Sequence, residues 1–221
     1  MKIDILTLFP NMFDGFLHES IIKRAITKEK VTINIHDIRD YSPFKNKQVD
    51  DYSYGGGAGM VLMCEPIFRA IDALRGDDTH VIMLTPSGQT FNQRKASNLL
   101  KYHHIILLCG HYEGFDERIK TIVDQEISIG NFILTGGEIP AMAITDAVVR
   151  LIDGVINKES LASESFNDDG LLDYPVYTKP AEYRGLKVPE VLLSGHHANI
   201  AKYRREMQIK LTNMRKEKYH E

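Results

Sequence analysis

The sequence has few of the features that mark secreted, zinc-binding or membrane-spanning proteins. Cysteine occurs only at Cys64 and Cys109, with no CxxC pair, which argues against a disulfide scaffold and against a structural zinc site. No apolar run approaches the ~18 residues of a membrane-spanning helix. The chain starts directly with a strand-like segment, so we identify no signal peptide. We therefore expect a cytoplasmic protein with no membrane partner.

Several well-known catalytic and nucleotide-binding patterns are also missing. The motifs HExxH, GxSxG, GxxxxGK[ST] and GxGxxG do not occur. Two adjacent histidine pairs do occur, His103-His104 and His196-His197, but neighbouring residues on a helix point in different directions. The sequence thus predicts no metal site and no serine hydrolase.

A positive net charge of the kind common in nucleic-acid-binding proteins is missing as well, since the formal net charge is −3. The distribution of charge is uneven. From His196 to Glu221 there are seven Lys or Arg residues against three Glu, a local charge of +4. A basic tail on an acidic body suits a polyanionic partner, although a solvated helix face would look the same.

Hydrophobic periodicity predicts a parallel α/β fold. An apolar segment over Lys2–Phe9 is followed by a helical pattern over Met12–Ile26 and by an alternating pattern over Val31–Ile35. Strand, helix, strand is the opening of a parallel α/β domain. Further strands are predicted at His80–Leu84 and Ile105–Cys109. Further helices are predicted over Pro66–Leu74, Asn92–Tyr102 and Ala141–Ile152.

Two stretches combine an apolar segment, glycines and acidic residues: Leu108–Arg118 (LCGHYEGFDER) and Ser128–Pro140 (SIGNFILTGGEIP). In the second, Phe132–Leu134 is predicted to be a buried strand end, and Pro140 is predicted to lie early in a helix. Open α/β sheets bind ligands where strands end and helices begin. The alternative is two tight turns without function. Likewise, His111 beside Glu113 is either an acid–base pair or a structural hydrogen bond.

The rest of the chain is divided by composition. The segment from Asp40 to Met60 is a predicted long loop, with glycines at its end. Few periodic apolar residues and many acids make 157–188 a predicted flexible linker between a domain over 1–156 and a short helical domain over 189–221.

Six motifs in order carry a resemblance that covers nearly the whole chain. They are MKIDILTLFP, VDDYSYGGGAGMVL, CGHYEGFDERI, EISIGNFILTGGEIPAM, GLLDYPVYTKP and VPEVLLSGHHANI. The chain resembles bacterial tRNA (guanine-N1)-methyltransferases of the TrmD type. The resemblance implies a parallel sheet ending in a deep trefoil knot, and a small α-helical C-terminal domain that is shorter here than in the family.

The resemblance also implies an activity and its partners. The expected reaction is methyl transfer from S-adenosylmethionine to N1 of guanosine 37 in tRNA, next to the anticodon. The family works as a homodimer with shared active sites. Magnesium is expected to assist without a dedicated protein site, and no DNA partner is expected. The alternative function is a non-catalytic RNA- or cofactor-binding paralogue.

Residue by residue, the resemblance assigns a cofactor set and a substrate set. The cofactor set is Thr85, Pro86, Gly110, Glu113, Ile129, Gly130, Asn131, Phe132, Ile133, Leu134, Gly136, Gly137 and Pro140. The substrate set is Asp50, Gly55, Gly56, Gly57, Gly59, Ser165, Asp173, Lys202, Arg204 and Arg205.

The catalytic residues follow from the chemistry of guanine. A base must remove the N1 proton, and a cation should stabilise the charge that grows on the ring and O6. Arg150 matches the family's cation. The family's base is an aspartate directly before Ser-Phe, where this chain has Glu164. An ungapped alignment instead places Ser165 there, which leaves Asp168 and Asp169 as alternative bases.

Overall fold

The computed structural model describes residues 1–157, 160–161, 164–166 and 170–219. Its internal contacts divide the chain into two compact units, Met1–Asn157 and Lys158–Glu221. The two alternative bases Asp168 and Asp169 lie outside the described residues.

The first unit is organised by a parallel sheet. Its strands are β1 (Lys2–Thr7), β2 (Thr32–Asp37), β3 (Asp50–Asp51), β4 (Val61–Leu62), β5 (Thr79–Thr90), β6 (His104–Cys109) and β7 (Gln125–Ser128). Five of them form one sheet in the order β2-β1-β6-β5-β7, and every pair in it is parallel. Strands β3 and β4 pair separately as an antiparallel hairpin. The predicted α/β class with a parallel sheet is confirmed.

Helices cover both faces of this sheet. They are α1 (Asp14–Leu17), α2 (Ser20–Thr27), α3 (Cys64–Leu74), α4 (Gln93–Leu99) and α5 (Glu138–Val149), with short 3-10 helices at Pro10–Phe13, Ile38–Tyr41, Lys45–Lys47 and Glu117–Ile122. Side chains of a strand alternate between faces. Accordingly, Ile3 and Ile5 pack with α2, α4 and α5, whereas Leu6 and Leu8 pack with α3.

The predicted continuous helix over Met12–Ile26 is wrong. The chain instead forms a 3-10 turn, α1 and α2, separated at His18 and Glu19. The backbone N–H of His18 donates to the carbonyl of Asp14 at 3.2 Å, and the His18 ring nitrogen Nδ1 lies 2.7 Å from the same oxygen. Ser20 then takes a positive φ of 53°. This backbone conformation cannot continue a right-handed helix.

One carboxylate is completely buried in the sheet. Asp4 in β1 has no exposed surface, and its oxygens lie 2.7 Å from Lys2 Nζ and 2.7 Å from Asn34 Nδ2. The ring nitrogens Nε2 of His36 and His104 lie at 3.2 and 2.8 Å. Burial alone would raise the pKa of Asp4, but the hydrogen bonds from His36, Lys2, Asn34 and His104 hold it well below its usual value.

In the described part of the second unit, the elements with given bounds include a short hairpin of β8 (Glu182–Tyr183) and β9 (Leu186–Lys187), and the helices α6 (Glu190–Leu193) and α7 (His197–Tyr219). The backbone N–H of Leu172 donates to the buried hydroxyl of Thr212 in α7 at 2.9 Å. Arg204 of the same helix lies over the Tyr174 ring, 4.6 Å from its centroid. Across the residues described, no helix combines the length and the apolar character needed to cross a membrane.

Candidate active site

A cleft of about 290 Å³ opens at the carboxyl ends of β5, β6 and β7. Three loops that follow these strands line it, as expected for a ligand site in a parallel sheet. The lining residues are Leu84, Thr85, Pro86, Gly110, His111, Tyr112, Glu113, Gly114, Phe115, Ile127, Ser128, Ile129, Gly130, Phe132, Ile133, Leu134, Thr135, Gly136, Gly137 and Pro140. Of the predicted cofactor set, all but Asn131 line the cleft.

The first loop is an excursion within β5. Pairing of β5 with β7 shifts register between Leu84 and Gln89, so the residues between them leave the sheet. The hydroxyls of Thr85 and Ser87 lie 3.0 Å apart, and Ser87 donates to Glu126 at 3.2 Å. A Cβ on Gly88 would lie only 2.5 Å from the backbone nitrogen of Ile127. The loop therefore returns against β7 at a distance that only glycine permits.

The second and third loops are joined through their backbones. The N–H of Gly137 donates to the carbonyl of Gly110 at 2.8 Å, and His111 forms an antiparallel bridge with Gly136. A Cβ on Gly137 would lie 2.6 Å from Cys109 Cα, and one on Gly110 would lie 2.8 Å from the Phe115 ring. A side chain at Gly137 would therefore separate the two loops, and one at Gly110 would displace the Phe115 ring.

The predicted buried strand end at Phe132–Leu134 is wrong. Strand β7 ends at Ser128, and Gly130 turns the chain out with a φ of 152°. Phe132 and Ile133 are consequently 54% and 79% exposed. Their apolar character belongs to the cleft lining rather than to the core. The prediction that Pro140 lies early in a helix is confirmed, because α5 begins at Glu138.

A buried carboxylate that the sequence analysis missed lies behind the cleft wall. Glu138, at the start of α5, is only 2% exposed. Its Oε1 accepts from the Thr7 hydroxyl at 2.7 Å, and its Oε2 lies 3.2 Å from His111 Nε2. The Phe9 ring packs against the His111 imidazole with 4.6 Å between centroids. His111 thus pairs with Glu138 rather than with its neighbour Glu113.

The end of β6 lies in the field of that carboxylate. Cys109 is completely buried, as its predicted core position requires. Burial raises the pKa of its thiol well above the usual value, and the negative charge of Glu138 raises it further. The thiol therefore stays protonated, and it acts as a packing residue.

The predicted glycine-rich loop adjoins the same wall. Gly55, Gly56, Gly57 and Gly59 all have positive φ, and the β3–β4 hairpin that carries them begins at Asp50. The N–H of Glu113 donates to the carbonyl of Met60 at 3.0 Å, and the N–H of Leu62 donates to that of Gly114 at 2.9 Å. Two main-chain hydrogen bonds thus bring this predicted substrate loop beside the predicted cofactor loop.

The predicted catalytic residues fall in different units. Arg150 follows the last residue of α5 in the first unit, and Glu164 and Ser165 belong to the second. The backbone N–H of Asp173 donates to the Ser165 hydroxyl at 2.8 Å. Asp169, the alternative base, lies outside the described residues.

The basic residues predicted to hold substrate lie on α7. Arg204 covers the Tyr174 ring, and Lys202 Nζ lies 3.9 Å from the Glu206 carboxylate one helical turn away. Arg205 belongs to the same turn of the helix. The helix therefore supports the segment that contains Ser165, Asp173 and Tyr174 as well as carrying positive charge.

Comparison with known proteins decides the family. A family model described as tRNA (Guanine-1)-methyltransferase TrmD matches residues 1–221. The chain belongs to the TrmD family. A relative from Ureaplasma urealyticum, named tRNA (guanine-N(1)-)-methyltransferase, is 57% identical over 213 residues, which cover 96% of this chain and 93% of that protein.

Two relatives from other genera carry the same name. The protein from Bacillus pumilus is 52% identical over 220 residues, covering 98% of this chain and 90% of its own. The protein from Staphylococcus haemolyticus is 55% identical over 212 residues, which cover 95% of this chain and 86% of that protein. The resemblance to the TrmD family inferred from the six motifs is confirmed, and TrmD membership makes this chain a methyltransferase.

Proposed function

We propose that this chain transfers a methyl group from S-adenosylmethionine to N1 of guanosine 37 in tRNA, in the cytoplasm where tRNA is used. The observation that carries the proposal is the TrmD family match over residues 1–221, together with the glycine-walled cleft at the ends of β5, β6 and β7. The names of the relatives favour this enzyme over a non-catalytic paralogue.

The cleft has the chemistry that the methyl donor requires. Gly110, Gly136 and Gly137 line the cleft, and apolar side chains at Phe132 and Ile133 offer a surface for an adenine ring. When bound, the donor supplies an electrophilic methyl group. The proposed cofactor residues hold it so that this methyl faces the nucleotide, and in-line positioning supplies most of the acceleration.

We propose the deep trefoil knot as the topology of these three loops. Two observations support it: the β5 excursion passes directly against the Ile127 backbone, and the Gly136 segment pairs with His111 from the preceding loop. Such a crossing departs from the usual unknotted chain.

For the chemistry itself, we propose Glu164 as the base and Arg150 as the cation. Glu164 takes the N1 proton as the methyl arrives, and Arg150 stabilises the negative charge on O6. Asp169 is the alternative base. The substrate guanine is held by the hairpin loop with Asp50 and its glycines, and by Ser165 and Asp173. The magnesium that the resemblance implies stays a prediction, and none of the described residues forms a group of three or more His, Cys, Asp or Glu that could hold a metal.

We also propose a homodimer with shared active sites and a flexible linker over 157–188 that leads to a tRNA-binding domain over 189–221. Ile133 and Ile139 beside the cleft are 79% and 51% exposed, which suits burial by a second copy. The basic face of α7 suits RNA phosphates. Replacing Lys202, Arg204 and Arg205 by alanine should weaken tRNA binding and flatten its salt dependence, while cofactor binding stays unchanged.

The proposal is tested with a tRNA transcript that carries guanosine at position 37. Wild-type protein with S-adenosylmethionine should methylate this transcript, and a transcript with adenosine at position 37 should stay unmodified. Glu164→Gln should lower the single-turnover rate by ~10²–10⁴ while both substrates still bind, because it removes the base and keeps the shape. Asp169→Asn should do much less. A fully active Glu164→Gln with an inactive Asp169→Asn would instead identify Asp169 as the base.

A further inference from the structure

The buried carboxylate of Glu138, behind the cleft wall, has few partners that could balance its charge. Glu138 is 2% exposed, and its two carboxylate oxygens meet a neutral hydroxyl from Thr7 and an imidazole from His111. Among the residues that the structure describes, no Lys or Arg forms an ion pair with it. A buried carboxylate without a cation is costly, and polar hydrogen bonds offset only part of that cost.

At Gly136, the backbone of this one residue lies between the Glu138 carboxylate and the cleft. Gly136 lines the cleft, and a Cβ on it would press against the Glu138 Oε2 and the His111 Nε2 and would lie 2.6 Å from His111 Cδ2. A ligand that lies on the Gly136 backbone is therefore close to the negative charge. No protein side chain stands between them at this residue, so the charge is poorly screened.

The cleft offers little positive charge to balance it. Among its described lining residues there is one carboxylate, Glu113, one imidazole, His111, and no Lys or Arg. Burial is the main cause of the raised pKa of the Cys109 thiol at the end of β6, and the negative charge of Glu138 raises that pKa further. The electrostatic potential in the cleft is consequently negative, which favours a cationic ligand.

The methyl donor and its product differ by one charge at the reacting atom. S-Adenosylmethionine carries a sulfonium, and loss of the methyl leaves the neutral thioether of S-adenosylhomocysteine. The adenosine, the amine and the carboxylate are the same in both. We propose that the buried carboxylate of Glu138 makes the cleft discriminate the sulfonium donor from the thioether product. This inference rests on the proposed function and adds a specificity-determining residue to it.

The expected benefit is exchange of product for donor after each turnover. Once the methyl has left, the attraction from Glu138 is lost, and the product dissociates more readily than the donor. Release of product limits the turnover of many enzymes. The His111 imidazole, with its Nε2 atom 3.2 Å from Oε2, holds this carboxylate in position behind the cleft wall.

The test measures a ratio of affinities rather than activity. Calorimetry gives the Kd of S-adenosylhomocysteine divided by that of S-adenosylmethionine, for wild type and for Glu138→Gln. Glutamine keeps the size and can still accept from Thr7. The ratio should fall about tenfold, as expected for the loss of one nearby charge at intermediate dielectric. A structural role alone would weaken both ligands equally and leave the ratio unchanged, which would overturn the inference.

Two further variants sharpen the test. Glu117→Gln removes an exposed carboxylate that does not line the cleft, so the ratio should change less than about twofold. His111→Arg retains Glu138 but places a permanent cation against it, so the ratio should fall as in Glu138→Gln. This second route keeps the inference falsifiable if Glu138→Gln does not fold.

The outcomes also separate this inference from the proposed function. Wild-type protein that bound neither ligand would overturn the proposed function and the inference together. Wild-type protein that methylates the guanosine-37 transcript, combined with ratios that stay within about twofold in Glu138→Gln and His111→Arg, would overturn the inference alone.

Discussion

Two buried carboxylates in the first unit have opposite surroundings. Asp4, in the middle of the sheet, is fully buried and receives hydrogen bonds from Lys2, Asn34, His36 and His104. Glu138, at the edge of the cleft, is almost as buried, but among the described residues it accepts a side-chain hydrogen bond from Thr7 and has the Nε2 atom of His111 at 3.2 Å. Asp4 is neutralised by its own neighbours, whereas Glu138 retains charge that a ligand can use.

The histidines beside Asp4 and Glu138 also differ in whether their second ring nitrogen has a partner. The Nδ1 atoms of His36 and His104 are each held by a second partner, the Tyr41 hydroxyl at 3.2 Å and the Thr79 hydroxyl at 2.7 Å. In the described part of the chain, Nδ1 of His111 has no such partner, and His111 lines the cleft. A closed polar network stabilises a fold, and an open one is available for binding.

The largest expected effect comes from neutralising each carboxylate in turn. Asp4→Asn should lower the free energy of unfolding by about 3 kcal/mol, because it leaves Lys2 and two imidazoles facing a neutral group. Glu138→Gln should lower it by less than about 1 kcal/mol, because its partners are not permanent cations. Urea unfolding measures both. Equal losses would show that the two sites differ only in position.

A side chain at Gly136 should weaken binding and also lower stability, because its Cβ would press against the buried Glu138 and His111 side chains. Gly136→Val places a side chain between the cleft and the Glu138–His111 pair, so affinity for the methyl donor should fall at least ~100-fold, about 2.7 kcal/mol. Gly15→Val is the matched control, because a Cβ there meets nothing within 4 Å. Calorimetry that found unchanged affinity in Gly136→Val would remove Gly136 from the cofactor set.

Acid should reduce the contribution of Asp4 to the free energy of unfolding. The pKa of Asp4 is lowered in the folded state, so its contribution is fully present above the unfolded value of 3.8 and is lost as the pH falls through the folded pKa. Unfolding free energy measured from pH 5 downward should therefore decline in wild type and decline less in Asp4→Asn. Parallel curves would show that other carboxyl groups cause the decline. The charged and titratable groups that face Asp4 are Lys2, His36 and His104.

The smallest expected effect on the affinity ratio of donor and product concerns the hydroxyl that holds Glu138. Thr7→Val keeps the shape and removes the 2.7 Å hydrogen bond to Oε1, which should cost about 1 kcal/mol of stability. The carboxylate keeps its charge, so the Kd of the donor and the Kd of the product should change by similar factors. A shift in their affinity ratio as large as that of Glu138→Gln would assign the discrimination to geometry rather than to charge.

The sequence predicted those parts of the fold that depend on local pattern. Continuous apolar segments such as Ile105–Cys109 became strands, and glycines at 110, 136 and 137 line the cleft as the family motifs implied. The motifs could not reveal the exposed position of Phe132–Leu134, because apolar residues in a cleft and in a strand look alike in composition. The break at His18 depends on a local hydrogen bond that periodicity does not register.

The contact between His111 and Glu138 behind the cleft could not be predicted from the sequence pattern. The position of His111 near Glu113 suggested a local partner. In the structure, however, the Nε2 atom of His111 lies 3.2 Å from Oε2 of Glu138, 27 positions later in the sequence. The signal that remains in the sequence is a carboxylate in the first turn of a helix that follows two glycines, where negative charge is favourable. Only the tertiary structure identifies Thr7 as the residue that completes the site.

The hydrogen bond from Thr7 to Glu138 joins residues 131 positions apart in the chain. During synthesis, β1 can pair with β2 early, but its other edge stays open until β6 has been made. The start of α5 follows later still. Contacts of such sequence separation close late and slow the folding of a domain. The binding cleft is therefore among the last parts of the first unit to form, so a ribosome-bound fragment that ends before Glu138 should already contain most of the sheet yet bind no methyl donor.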